Sequence, residues 1–253
     1  MRRFLRNNGL SLVLLIVFLG TMFGQTVTGW FEHNETQRDH HEPEVGLGEY
    51  LKSGHFWEAT AENWESEFLQ MAMFVVLTAW LFQKGSAESK DPDGDDPVDN
   101  DPRLSRHDPK APWPVRKGGA MLWLYSHSLS LTFLLLFLIS FGVHAIGGAV
   151  EYNEDQRAHQ QPEATVMQYM GTSRFWFESL QNWQSEFLSL LAMVFLSIYL
   201  REHGSAESKP VATPHGECGG DEPKLVPVPV PATAASTTQT GAARDAGGVA
   251  QPV

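Results

Sequence analysis

The sequence predicts an all-α, integral membrane protein built from two tandem helical hairpins with four transmembrane helices. Three observations predict it. Long apolar runs lack charge, positions 119 residues apart match without a gap, and Lys and Arg gather on alternate sides of the apolar runs.

The first run, Leu10 to Trp30, carries no charge over about twenty residues, enough for a helix to cross the hydrocarbon core. MRRFLR precedes it, as in a signal peptide, but no small-x-small cleavage site follows and the segment recurs inside the chain. It is read as an uncleaved span. Gly119 to Val150 holds a second such stretch, centred on LSLTFLLLFLISFGV. Phe68–Phe82 and Phe187–Leu200 are shorter, about 20–22 Å as helix against the ~30 Å of a bilayer core. To cross, they recruit neighbours from Trp64 and Trp183 onward, where tryptophan suits the interface.

The match at 119 residues joins EHNETQRDHHEPE (32–44) to EYNEDQRAHQQPE (151–163), and FWEATAENWESEFL (56–69) to FWFESLQNWQSEFL (175–188). GSAESK occurs at 85–90 and again at 204–209. With two spans per copy, both copies enter the membrane in the same direction, as parallel repeats. Four regions follow: a first hairpin at 1–90, an acidic linker at 91–117, a second hairpin at 118–209 and a tail at 210–253. The linker (DPDGDDPVDNDP) and the Pro/Ala/Thr/Gly-rich tail are expected to be disordered.

Basic residues cluster before the first span, in the centre and after the last span, while the 31–63 and 151–182 loops hold two each. The positive-inside rule then puts both termini and the linker in the cytoplasm and both loops outside. The helices are expected to project beyond lipid, with Pro43 and Pro162 ending the first of each pair. Ser53, and Thr172 or Ser173, begin the second of each pair as N-caps. Gly85 and Gly204 are read as C-cap glycines.

The formal net charge of −12, much of it in Asp91–Asp101, argues against nucleic-acid binding. A single cysteine, Cys218, excludes an intrachain disulfide framework and a thiolate-rich zinc site. No Walker loop, nucleophile elbow, HExxH or Rossmann fingerprint occurs.

Candidate chemistry rests on polar residues at helical spacing. Thr21, Gln25, Thr28, Glu32 and Glu35 share one face of the first helix, and Ser140, His144, Gly147, Glu151 and Glu154 stand at the matching positions. The second helices carry Asn63, Ser66, Glu67 and Gln70, matched by Asn182, Ser185, Glu186 and Ser189. Antiparallel pairing is expected to bring Gln25 or His144 to the depth of Glu67 and Glu186. Those two acids read either as a proton or cation site or as depth-fixing carboxylates. His144 reads as a proton exchanger or an interhelical contact.

A second group, Glu32, Glu35, His40, Glu151, Glu154 and His159, reads as a solvated acidic face. The Glu-x-x-His step of dinuclear bundles is missing, so no metal is assigned. Arg38 and Arg157 are expected to pair with Glu35 and Glu154.

The motifs QRxH (37–40, 156–159), FW…NWxSEFL and GSAESK, each in two copies, resemble a family of small bacterial membrane proteins defined by a domain of unknown function. The resemblance covers residues 1–209. It implies a multi-pass protein of the bacterial inner membrane and supplies no catalytic residues. The leading expectation is a non-enzymatic membrane assembly or interaction protein without cofactor. Its partners are the bilayer and a cytoplasmic protein at the GSAESK segments. The alternatives are a small channel or proton/cation-coupled transporter using membrane-edge carboxylates, and a metal-dependent membrane enzyme.

Overall fold

A computed structural model describes residues 2–94 and 96–219. All regular structure among them is helical. In chain order the α-helices are α1 (Arg2–Asp39), α2 (Leu47–Tyr50), α3 (Gly54–Trp80), α4 (Trp113–Lys117), α5 (Gly119–Ser126), α6 (Ser128–Ala158), α7 (Val166–Met170) and α8 (Ser173–Leu196).

Two helices, α1 and α6, are long and apolar enough to cross a membrane. Their large side chains face outward: Leu10 is 76% exposed and Phe23 is 71% exposed. Such density of exposed apolar surface suits lipid as solvent rather than water. The apolar parts of α3 and α8 are shorter and follow acidic turns, Glu62–Glu67 and Glu178–Glu186.

Each of α1 and α6 turns back on itself by the same device. Glu42 N–H donates to Gln37 O and His41 N–H to Arg38 O, and His41 holds a left-handed φ of 61°. At the matching place Gln161 donates to Gln156 O and Gln160 to Arg157 O, with Gln160 at φ 55°. This is a Schellman C-cap, with Pro43 and Pro162 just beyond it. An asparagine then clasps the returning chain. Asn34 exchanges two hydrogen bonds with the Val45 backbone (2.8 and 3.0 Å), and Asn153 does so with Ala164 (2.7 and 2.8 Å). Ser53 caps α3 by accepting from Phe56 N–H at 3.2 Å, and Thr172 caps α8 by accepting from Phe175 N–H at 3.4 Å.

The tightest helix seam joins α3 to α6, across the two hairpins. Glycines permit it. A Cβ on Gly54 would lie 2.7 Å from Glu151 N and from Gly147 O, and one on Gly147 would lie 2.8 Å from Glu58 N. Near this seam Ala145, Ala149, Tyr169 and Phe175 form the buried apolar core.

Several expectations need correction. Gly85 and Gly204 do not cap helices. α3 ends at Trp80 and unwinds through an extended Leu81, and α8 ends at Leu196, so both glycines lie in the turns that follow, at φ 86° and 84°. Arg38 and Arg157 pair with Glu44 (3.4 Å) and Glu163 (3.1 Å), because the clasp brings the returning chain closer than the same-helix acids. Residues 91–117 are not featureless. Asp96 and Asp101 side chains cap two 3-10 turns, Pro97–Asp99 and Pro102–Ser105, and Lys90 pairs with Asp99 at 2.7 Å. The start of the tail is also held. The Lys209 ammonium donates to the carbonyls of Gly85, His215 and Glu217, and Gly219 N–H donates to Ser86 O. The rest of the tail lies outside the described residues.

Candidate functional site

Glu58, Glu62 and Glu65 are spaced four and three apart on α3, so all project from one face. The close α3–α6 seam turns that face inward, and α8 closes the third side. Glu65 and His144 are completely buried. Glu65 Oε2 stands 2.8 Å from His144 Nδ1, and its Oε1 accepts from Trp183 Nε1–H at 2.9 Å. The acceptor at Nδ1 fixes that nitrogen as the protonated one. Phe175 stacks on the imidazole with ring centroids 4.8 Å apart.

The other imidazole nitrogen, Nε2, is buried without a hydrogen-bond partner. It faces Glu178 Oε2 at 3.7 Å, too far for a hydrogen bond. Glu178 is otherwise well held. Its Oε1 accepts from Arg174 Nε–H at 2.8 Å, one helical turn before it, and its Oε2 accepts from the Tyr169 hydroxyl at 2.7 Å. Tyr169 also reaches Glu58 Oε1 at 3.3 Å, and Arg174 stands 3.8 Å from that oxygen. Asn182 donates to Glu62.

Glu58 and Glu178 precede the apolar runs that begin at Trp64 and Trp183, and their environments push them apart. Burial, helped by the negative charge of Glu178, raises the Glu58 carboxyl to about 7. Burial also works to raise Glu178, but the His144 ring and the hydrogen bonds of Arg174 and Tyr169 outweigh it and hold that carboxyl at about 2. Burial and the Glu178 hydrogen bond push the Tyr169 phenol far above its usual value, so it stays a donor. Two adjacent carboxyls are therefore held at opposite ends of the acid range.

The positions singled out from sequence fall in different places. His144 is at the centre. Its partners are Glu65 and Glu178 rather than Glu67 and Glu186, because the α3–α6 contact rotates Glu65 inward. Glu67 is exposed and Glu186 half-buried, with the Glu186 carbonyl accepting from Gln70 at 2.9 Å. Gln25 bonds Thr60 at 3.3 Å. Asn182 joins the cluster through Glu62. Ser66 is buried but bonded to its own helix at Asn63 O, Ser185 does the same at Asn182 O, and Asn63 is exposed.

Of the second group, Glu32 pairs with His55 at 3.0 Å and His159 with Asp155 at 3.2 Å. Glu35 and His40 are exposed, and Glu151 and Glu154 half-buried. Glu58, Glu62, Glu65, Tyr169, Arg174 and Glu178 were missed. The Glu58–Glu62–Glu65 stripe and the Arg174–Glu178 step were visible as helical spacings. Spacing alone does not say that these faces turn toward His144.

No curated protein matches the chain, and no solved structure does. One family model does match, over residues 1–220. The chain therefore belongs to the family defined by the domain of unknown function DUF6766.

Proposed function

We propose that the chain is a non-enzymatic, four-span protein of the bacterial inner membrane, made of two parallel hairpin repeats, and that it captures and passes a cation through the buried cluster around His144. One observation carries this reading: four carboxylates, Glu58, Glu62, Glu65 and Glu178, converge where the only fixed cation among the described cluster residues is Arg174. Buried charge without a counter-charge is costly, and such intramembrane or membrane-edge clusters mark ion paths. The matched Schellman caps and asparagine clasps support the repeat. The basic flanks support an outward-facing cluster.

Flux from the full-length protein in liposomes tests it. Cation entry above that of empty vesicles, abolished by Glu65→Gln/Glu178→Gln, is expected. Parent vesicles no leakier than empty ones would remove the reading. A docking role for the GSAESK segments is the second reading. It is favoured at 204–209, where Ala206 and Glu207 are exposed, over 85–90, where Ser86 is buried and bonded to Ser197 at 3.0 Å. Cross-linking of a cytoplasmic protein to Glu207→Cys, absent from Ser86→Cys, distinguishes it.

A further inference from the structure

We infer that the cluster is a binding site for one divalent transition-metal ion, with Glu58, His144 Nε2 and Glu178 as ligands and Glu65 as the group that orients the histidine. The inference rests on the reading of this cluster as a cation site and names the cation.

The ligand atoms of the three residues all lie within 4.8 Å of one another. A tetrahedral ion with bonds near 2.0–2.2 Å wants its ligand atoms about 3.3 Å apart, within reach of small carboxylate rotations. The independent observation is His144 itself. Its side chain is fully buried, its Nδ1 is held 2.8 Å from Glu65 Oε2, and its Nε2 is aimed at the Glu58 and Glu178 carboxylates without a hydrogen-bond partner. A carboxylate–histidine pair with the far nitrogen left open is the arrangement that metal sites use to fix tautomer and ring angle. Phe175 stacked on the ring and Trp183 on Glu65 lock both in place.

Charge agrees. Glu58, Glu62, Glu65 and Glu178 face a single fixed cation, Arg174, so the cluster is short of positive charge, which a divalent ion supplies. Imidazole nitrogen beside two carboxylates selects a transition metal over calcium or magnesium, which take oxygen shells. The hydroxyl of Tyr169 donates to Glu178 at 2.7 Å and lies 3.3 Å from Glu58, so it can hold the carboxylates in place from behind. The matching positions 119 residues away hold Phe177, Gln25 and Ala59, so the site exists once per chain.

The test uses tag-free, full-length protein in detergent, stripped with chelator and titrated with zinc chloride. Cobalt chloride serves as a second probe, because tetrahedral Co²⁺ with nitrogen and oxygen ligands absorbs in the visible. One ion per chain is expected, with binding lost in His144→Gln and in Glu58→Gln. In Glu65→Gln binding falls about 10- to 100-fold. His107→Gln, in the linker, binds as the parent does. Circular dichroism and gel filtration confirm that each variant is folded, and the isosteric Glu58→Gln keeps the test open should His144→Gln fail to fold. A parent that takes up no zinc, or a folded Glu58→Gln that binds it undiminished, overturns the site. Zinc bound at one ion per chain but never moved across liposomes upholds the site while removing the transport reading.

Discussion

The two hairpins agree at their loop ends and differ deeper in. At the loop end they use the same parts: a Schellman cap, an asparagine clasp and a hydroxyl N-cap, at positions 119 residues apart. About two turns deeper they part. The first hairpin has a neutral Gln25–Thr60 hydrogen bond, and the second has His144 between Glu65 and Glu178. Two of the three acids nearest His144, Glu58 and Glu65, come from the first hairpin's α3. What the halves share is scaffold. What they do not share, brought together across the α3–α6 seam, is the site.

Breaking the ionic side of that comparison should have the largest effect. Removing Glu65 as Glu65→Ala leaves His144 and Trp183 donors buried and unpaired, at a cost of about 3–5 kcal/mol. Gln25→Ala in the neutral hairpin should cost about 1 kcal/mol or less. Thermal unfolding in detergent, read by tryptophan fluorescence, measures both. Equal losses would mean the two halves are held alike.

The seam comes next. Gly147→Ala drives a methyl into the Glu58 backbone and should cost about 1–3 kcal/mol, while Gly24→Ala, with open space around it, should cost nothing. Reversal of that order in the same assay would show that α3 and α6 do not meet at their glycines.

The clasps should instead behave alike. Asn34→Ala and Asn153→Ala each strip two hydrogen bonds from a backbone turn and should each destabilise by about 1–3 kcal/mol. A clear difference between them would break the equivalence of the two loop ends. The smallest effect is a gain. His41→Gly and Gln160→Gly relieve a left-handed backbone and should each stabilise by about 1 kcal/mol. A loss at either position would mean its side chain makes contacts that outweigh the strain.

Much of the scaffold was legible in the sequence because it is local. Ser53 and Thr172 announce helix starts, and Pro43 and Pro162 announce chain reversals. The charge-free apolar runs announce α1 and α6, the two helices long and apolar enough to cross a membrane. His144 was legible as an odd residue in such a run. Its partners were not. The shortness of the second apolar runs pointed to Glu67 and Glu186 as the acids at the hydrocarbon edge. The acids that reach His144 lie on the α3 face that packing against α6 turns inward and on the facing side of α8.

The amino-acid order alone determined the helices, their caps and the length of apolar surface, since these depend on neighbours within a few residues. Which face of α3 turns inward was decided only by tertiary packing. Gly54 and Gly147 let two backbones from different hairpins approach closely, and that one contact sets the rotation that buries Glu58 and Glu65, half-buries Glu62 and leaves Glu67 outside. No spacing within a single helix encodes a rotation that depends on a partner more than ninety residues away.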